Sequence, residues 1–196
     1  MSFFDNTKIT GLALTIIGIL MIIAGILQIY DGATMDGGLG ENVGYVIAGI
    51  GALIAAIMYF LYGNKVRTGA ISTKISILGN YVRLVGATTV VVNIFNAVGG
   101  IISSISFWDS TIMIILGLIV IWIGSKIDDG KTTTFDKILW IVLLLVFVVL
   151  FIVNFVNIFT NGADVISIIS SICYAVIYLF MAAFLLDGDV KKKMGM

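Results

Sequence analysis

Six long apolar runs alternate with short polar segments along the chain, and they cover residues 9–30, 44–62, 75–105, 111–123, 138–158 and 165–186. About 20 apolar residues form a helix long enough to cross the hydrocarbon core of a bilayer. The fourth run is shorter, so we expect its helix to extend over Phe107 and Trp108 at one end and over Ile127 at the other. The pattern predicts an all-α integral membrane protein in which six transmembrane helices form a single membrane domain over residues 1–196.

The basic residues between these runs all fall on one side of the six-pass arrangement. That side carries Lys8, Lys65, Arg67, Lys74, Lys126, Lys131, Lys137, Lys191, Lys192 and Lys193, and the opposite loops carry Asp31, Asp36, Glu41, Asp109 and Asp164. Loops rich in lysine and arginine are retained in the cytoplasm during insertion. We therefore expect a multi-pass protein of the cytoplasmic membrane with its N-terminus and C-terminus in the cytoplasm. The basic segment Lys191, Lys192 and Lys193 is expected to contact the headgroups of anionic lipids.

A repeated order of residues divides the chain into three segments, residues 7–69, 73–130 and 135–193. Each segment opens with a lysine followed by isoleucine, at Lys8, Lys74 and Lys137, and returns to the same side at a cluster of glycine and charged residues. Repetition at a period of roughly 60 to 65 residues is typical of a duplicated structural unit. The sequence thus predicts three helical hairpins that are parallel pseudo-repeats about an axis along the membrane normal.

Small residues recur at regular spacing in three of the runs. They are Gly11, Gly18 and Gly25 in the first run, Gly44, Ala48, Ala52 and Ala56 in the second, and Gly79 and Gly86 in the third. Such stripes let helix backbones approach each other, either within one chain or at the seam of an oligomer. Residues 138–153 contain neither glycine nor alanine. We expect that fifth helix at the lipid periphery or at a contact between subunits.

Three polar pairs lie near the outer ends of the outward helices. They are Gln28 and Asp31, Asn93 and Asn96, and Asn154 and Asn157, and each pair is spaced i, i+3 on one helix face. Three interpretations stay open: contact with the headgroup layer, hydrogen bonds between helices, or a polar ring around a vestibule for a solute or ion.

Arg83, with Asn80 nearby, is a further candidate for function. A third helix that begins near Ile75 would place Arg83 within the membrane, where a charge is costly and often functional. A helix that begins at Leu84 would instead leave Arg83 at the interface, after an in-plane amphipathic segment. The sequence therefore leaves open whether Arg83 anchors the helix at the membrane interface or takes part in the function of the protein.

Composition narrows the function classes. Hydrophobic residues make up 60% of the chain and charged residues 11%, with a mean hydropathy of +1.17, far from the balance of a soluble domain. The formal net charge is +0, so we expect no nucleic-acid partner. Histidine is absent and cysteine occurs once, at Cys173, so neither a metal site nor a cofactor site is expected.

These observations predict a protein that is not an enzyme. The expected role is a structural or accessory subunit of a membrane oligomer or complex, with the lipid bilayer, further copies of the chain or other membrane subunits as partners. The alternative is a channel or facilitator for a small solute or ion that uses the outer polar residues. The acidic group that ion-coupled carriers place within the membrane is missing from the interior of the runs.

Overall fold

The structure, a computed structural model, describes residues 6–104, 107–160 and 165–196. Asp164 and the predicted end of the third run at Ile105 lie outside this part. Within it there are seven helices: α1 (Thr7–Thr34), α2 (Leu39–Arg67), α3 (Lys74–Ile102), α4 (Trp108–Ile127), α5 (Thr134–Thr160), α6 (Val165–Leu185) and α7 (Gly188–Lys193). Six of them are long and apolar enough to cross a membrane, which confirms the predicted number.

Four helices, α1, α2, α4 and α5, extend beyond the apolar runs that predict them, whereas α3 and α6 end before the predicted residues 105 and 186. The second helix begins at Leu39, ahead of the predicted start at residue 44, and the first continues to Thr34. The chain contains no proline that would break a helix where the apolar run stops. The fourth helix covers Trp108 and Ile127, as expected, but not Phe107, which is the residue that precedes its first turn.

Successive membrane helices run antiparallel. Gly11 of α1 faces Arg67 of α2, and Gly32 faces Tyr45, so the two helices align in opposite directions. The same reversed order relates α2 to α3 and α3 to α4. Because the helices alternate in direction, the cationic residues at their ends and in the adjoining loops lie at one end of the bundle. We call this end the lysine-rich face; its residues are Lys8, Lys65, Arg67, Lys74, Lys126, Lys131, Lys137, Lys191, Lys192 and Lys193.

Four helices form the centre of the bundle. Helix α1 packs against α2 and α6, α2 packs against α3, and α3 touches α6. Helix α4 packs on the outside of α3, and α5 packs on the outside of α6. The fully buried large side chains, most of them nearer the lysine-rich face than the opposite face, are Leu14, Ile17, Val66, Ile77, Leu78, Tyr81, Ile177, Phe180, Met181, Phe184, Leu185 and Met194.

Toward the opposite face α5 is less deeply buried against the rest of the bundle. Its buried residues are Asp136, Leu139, Trp140, Leu143 and Phe147. Within residues 148–160, all of which the structure describes, none is buried. About half of α5 is therefore only partly covered by its own chain: Leu150, Phe151, Asn154, Asn157 and Ile158 are half-buried, and the other residues of this half are exposed.

Candidate functional site

A cleft of about 730 Å³ opens on the lysine-rich face. It lies where α3 begins, where the segment between α4 and α5 passes, and where α6 turns into α7. Its volume falls in the range of small-molecule sites, about 300 to 1,000 Å³. The residues that line it combine both charges with hydroxyl and apolar groups: Thr73, Lys74, Ile75, Thr132, Asp187, Asp189, Val190, Lys192 and Lys193.

Helix α7 is folded onto the bundle, so the predicted basic segment is a fixed wall of this cleft. Val190 and Met194 are 2% and 1% exposed and belong to the core. The Lys191 ammonium lies 5.9 Å from the centre of the Trp140 ring, within the range of a cation–π contact. The Thr132 hydroxyl donates to the Lys193 carbonyl oxygen at 3.0 Å. Helix α7 therefore presents Lys192 and Lys193 at defined positions.

An ion pair connects the start of α3 to the end of α6. The Lys74 ammonium donates to Asp187 at 2.5 Å, and the two side chains are 21% and 25% exposed. Asp187 also caps α7 by accepting from the Asp189 backbone N–H at 3.1 Å. The hydrogen bond from Lys74 holds the pKa of Asp187 below its ordinary value. Asp187 therefore stays ionised and holds the cleft together at neutral pH.

Arg83 lies on the side of α3 that faces α4. Helix α3 is continuous from Lys74 through Arg83, so no separate in-plane segment ends before Leu84. A Cβ added to Gly124 would lie 2.7 Å from the Arg83 Cγ, which places the aliphatic stem against the last turn of α4. The Arg83 Nε atom is buried without a hydrogen-bond partner among the described residues. Asn80, one turn earlier, donates to the Ser76 carbonyl oxygen at 2.7 Å.

The outer polar pairs lie on α1, α3 and α5, and none of these three helices packs mainly against another of the three. Helix α1 packs mainly against α2, α3 against α2 and α4, and α5 against α6. The Asn93 amide donates to the Thr89 carbonyl oxygen, and the Asn154 amide to the Leu150 carbonyl oxygen, both at 2.8 Å on their own helices. Within the described part of the chain, no hydrogen bond joins one of these pairs to another. The remaining members are half-buried or exposed: Gln28, Asp31, Asn96 and Asn157.

The predicted small-residue stripes lie at helix crossings. Gly11, Gly18 and Gly25 face the α2 backbone, whereas Gly79 and Gly86 face α4. On α2, Gly44 faces Gly99 of α3, Ala48 and Ala52 are half-buried, and Ala56 is buried. The stripes of α1 and α3 thus each point to the helix that follows in the chain.

A cluster of aromatic side chains in the core has no counterpart among the sequence predictions. The Tyr81 ring lies 6.2 Å from Phe147 and 6.4 Å from Tyr178, and Tyr178 lies 6.0 Å from Tyr174. The Tyr81 hydroxyl is buried with no hydrogen-bond partner in the described chain. Tyrosines in the middle of apolar runs, away from the headgroup level, are the sequence signal that could have identified this cluster. It joins α3, α5 and α6 by aromatic packing.

Comparison with known proteins adds no relative. No protein-family model, no curated protein and no solved structure matches the chain.

Proposed function

We propose that this protein is a non-catalytic, structural or accessory subunit of a membrane oligomer, and that the outer half of α5 is its association surface. One observation carries the proposal: residues 148–160 of α5 contain no buried residue, yet Asn154 and Asn157 lie within them. Both amides are only half-buried within their own chain, and a further helix packed against them would offer hydrogen bonds that lipid does not.

The depth of Asn154 makes its amide costly to leave facing lipid. It lies 17 residues after Lys137, about 25 Å along the helix at 1.5 Å per residue, which is inside a hydrocarbon core of about 30 Å. Its one hydrogen bond within the described chain goes to the Leu150 carbonyl oxygen. The side-chain oxygen and the second side-chain N–H of Asn154 have no hydrogen bond within the described chain, and we infer that a neighbouring chain supplies their partner.

A second copy of the chain supplies that partner with matching chemistry. Asn154 and Asn157 are three residues apart and share one face of α5. An amide both donates and accepts, so identical amides satisfy each other across a two-fold axis. A homo-oligomer with an α5 to α5 seam is therefore the assembly that these residues favour. A channel or facilitator has less support. The three outer polar pairs lie on α1, α3 and α5, and each of these helices has its main contacts with helices that carry none of the pairs.

The arrangement of the remaining helices supports the finer architecture that we infer. Helix α1 packs against α2, α3 against α4, and α5 against α6, as expected for three successive hairpins. The glycine stripes of α1 and α3 both face the following helix, as expected for repeated units. The cations gathered on one face favour the cytoplasmic membrane with that face in the cytoplasm.

Native mass measurement of the full chain in mild detergent and in lipid nanodiscs tests the proposal. The wild-type protein should appear as an oligomer, and the double variant Asn154→Leu/Asn157→Leu should shift toward the monomer. About four interhelical hydrogen bonds at about 0.6 kcal/mol each give a loss of about 2 kcal/mol in association free energy. Gln28→Leu, which removes an amide from α1, is the matched control and should leave the oligomer intact. A wild-type protein that is monomeric in both environments would contradict the proposal.

A further inference from the structure

The cleft on the lysine-rich face lies at the level of lipid headgroups. Lys74 is the first residue of α3, Asp187 follows the last residues of α6, and Thr132 precedes α5. Since these helices are of membrane-spanning length, their ends mark the boundary between hydrocarbon and headgroups. A ligand in this cleft would therefore sit beside the phosphates of the bilayer, not in its apolar interior.

The cleft holds charges of both signs in a fixed arrangement. Lys74 and Asp187 are joined in an ion pair, so Lys192, Lys193 and Asp189 are the further charges that line the cleft. Lys192 and Lys193 belong to a helix that is anchored by buried Val190 and Met194. A general attraction to anionic lipid depends only on cations near the membrane surface and would gain nothing from a carboxylate among them.

The wall beneath these charges is apolar. Ile75 and Val190 form its floor but are only 5% and 2% exposed, so the accessible apolar groups are the aliphatic stems of Lys192 and Lys193 and the methyl group of Thr132. Thr73 adds a hydroxyl whose oxygen accepts from the Ser76 backbone N–H at 3.3 Å, so its proton remains able to donate to a ligand oxygen. Cations and a hydroxyl donor suit a phosphate, a carboxylate suits an ammonium, and the apolar wall suits a hydrocarbon chain.

We propose that this cleft binds the headgroup of a phospholipid that carries a primary ammonium group as well as its phosphate diester. Lys192, Lys193 and the Thr73 hydroxyl contact the phosphate oxygens, and Asp189 accepts from the ammonium. The glycerol and the first acyl carbons lie along the aliphatic stems of Lys192 and Lys193 and the methyl group of Thr132. This inference does not depend on the oligomer or on the α5 seam.

The geometry gives the site a chemical preference. A trimethylated ammonium has no N–H to donate to Asp189, and a glycerol headgroup has no positive charge for it. Phosphatidylethanolamine therefore fits better than phosphatidylcholine or phosphatidylglycerol with the same acyl chains. A soluble phosphate compound offers the same charged groups but no hydrocarbon for the apolar wall.

The test counts lipids retained by the delipidated full-length protein in native mass measurement, after incubation with an equimolar mixture of the three phospholipids. Phosphatidylethanolamine should be retained preferentially. The variant Lys192→Gln/Lys193→Gln should weaken its retention roughly thirtyfold, the equivalent of about 1 kcal/mol for each lysine. Asp189→Asn should abolish the preference over phosphatidylcholine while retention of phosphatidylglycerol persists. The matched control Lys8→Gln/Lys65→Gln removes two charges from the same face away from the cleft and should change nothing.

Two outcomes would overturn the inference. Equal retention of the three lipids by the wild type and by both cleft variants would assign the binding to general charge attraction. Displacement of the bound lipid by O-phosphoethanolamine or inorganic phosphate at the lipid's own concentration would assign the cleft to a soluble phosphate compound. The expected result is that neither soluble compound competes at that concentration.

Discussion

Gly18 and Gly63 set how closely α1 and α2 approach each other. A Cβ added to Gly18 would lie 2.5 Å from the Phe60 backbone nitrogen, and one added to Gly63 would lie 2.5 Å from the Thr15 backbone nitrogen. Backbone atoms cannot turn aside as flexible side chains do, so a larger residue forces the helices apart. The sequence identified Gly18 because it recurs in a seven-residue series; Gly63 lies in no series and was not identified as a packing residue.

Replacement of Gly18 by alanine tests this close approach. Gly18→Ala should lower the free energy of unfolding by about 1 to 3 kcal/mol, the usual cost of an overpacked contact. Thermal unfolding of the purified protein in detergent measures the change. Gly38→Ala is the control, since nothing lies within 4 Å of an added Cβ there. Equal stability of Gly18→Ala and wild type would show that the two helices are not held at this distance.

Replacement of Arg83, unlike that of Gly18, is expected not to lower the free energy of unfolding. Its buried Nε has no partner in the described residues, and its stem packs on Gly124. Arg83→Met keeps an unbranched stem and removes the unpaired donor, so stability should stay the same or rise by about 1 kcal/mol. Arg67→Met, on an exposed arginine bonded to Asn64, should change stability by no more than about 0.5 kcal/mol. A clear loss of stability in Arg83→Met would mean that the Arg83 guanidinium makes stabilising hydrogen bonds within the membrane.

At the scale of elements, α7 shows what the sequence pattern left out. Its six residues are too few for a periodic signal, and three successive lysines suggest a solvated tail. The fold instead buries Val190 and Met194, four residues apart on one helix face. Trp140 of α5 donates its indole N–H to the Leu185 carbonyl oxygen at 2.6 Å, and Lys191 lies over its ring. Only tertiary contacts explain why this short helix forms.

Loss of the indole donor should loosen α7. Trp140→Phe leaves an aromatic ring but no N–H for the Leu185 carbonyl oxygen, a loss of about 1 kcal/mol. Amide hydrogen exchange in α7 should then be about fivefold faster than in the wild type. Trp122→Phe, on an exposed tryptophan of α4, provides the control. Unchanged exchange in Trp140→Phe would contradict the anchoring of α7 by α5.

The ion pair between α3 and the start of α7 predicts a dependence on pH. The pKa of Asp187 is lowered in the folded protein by the hydrogen bond from Lys74. Its contribution to stability is therefore present above the unfolded pKa and is lost as pH falls through the folded value. Between pH 7 and about pH 3, thermal stability should fall less in Asp187→Asn than in the wild type. Asp36→Asn, an exposed residue on the opposite face, should retain the wild-type fall; an equal fall in Asp187→Asn would contradict the prediction.

At the scale of the whole molecule, the number of membrane helices followed from the sequence but their neighbours did not. Apolar runs report the length of a span because the bilayer sets it. They do not report which face turns inward, since lipid is as apolar as a helix interior. In α5, Leu143 and Phe147 are buried, whereas Leu145 and Val149 are exposed, although all four side chains are similarly apolar. The grouping of α1, α2, α3 and α6 at the centre was likewise not predictable from a repeat.

The cations gathered on the lysine-rich face lead us to propose that this face lies in the cytoplasm and that the loop between α1 and α2 lies on the other side of the membrane. Single cysteines at Lys192→Cys and Gly38→Cys, each with Cys173→Ala, test this with a thiol reagent that does not cross membranes. In intact cells Gly38→Cys should react, and Lys192→Cys should react only after the membrane is opened. Reaction of Lys192→Cys in intact cells, or of both positions from the same side, would contradict the arrangement.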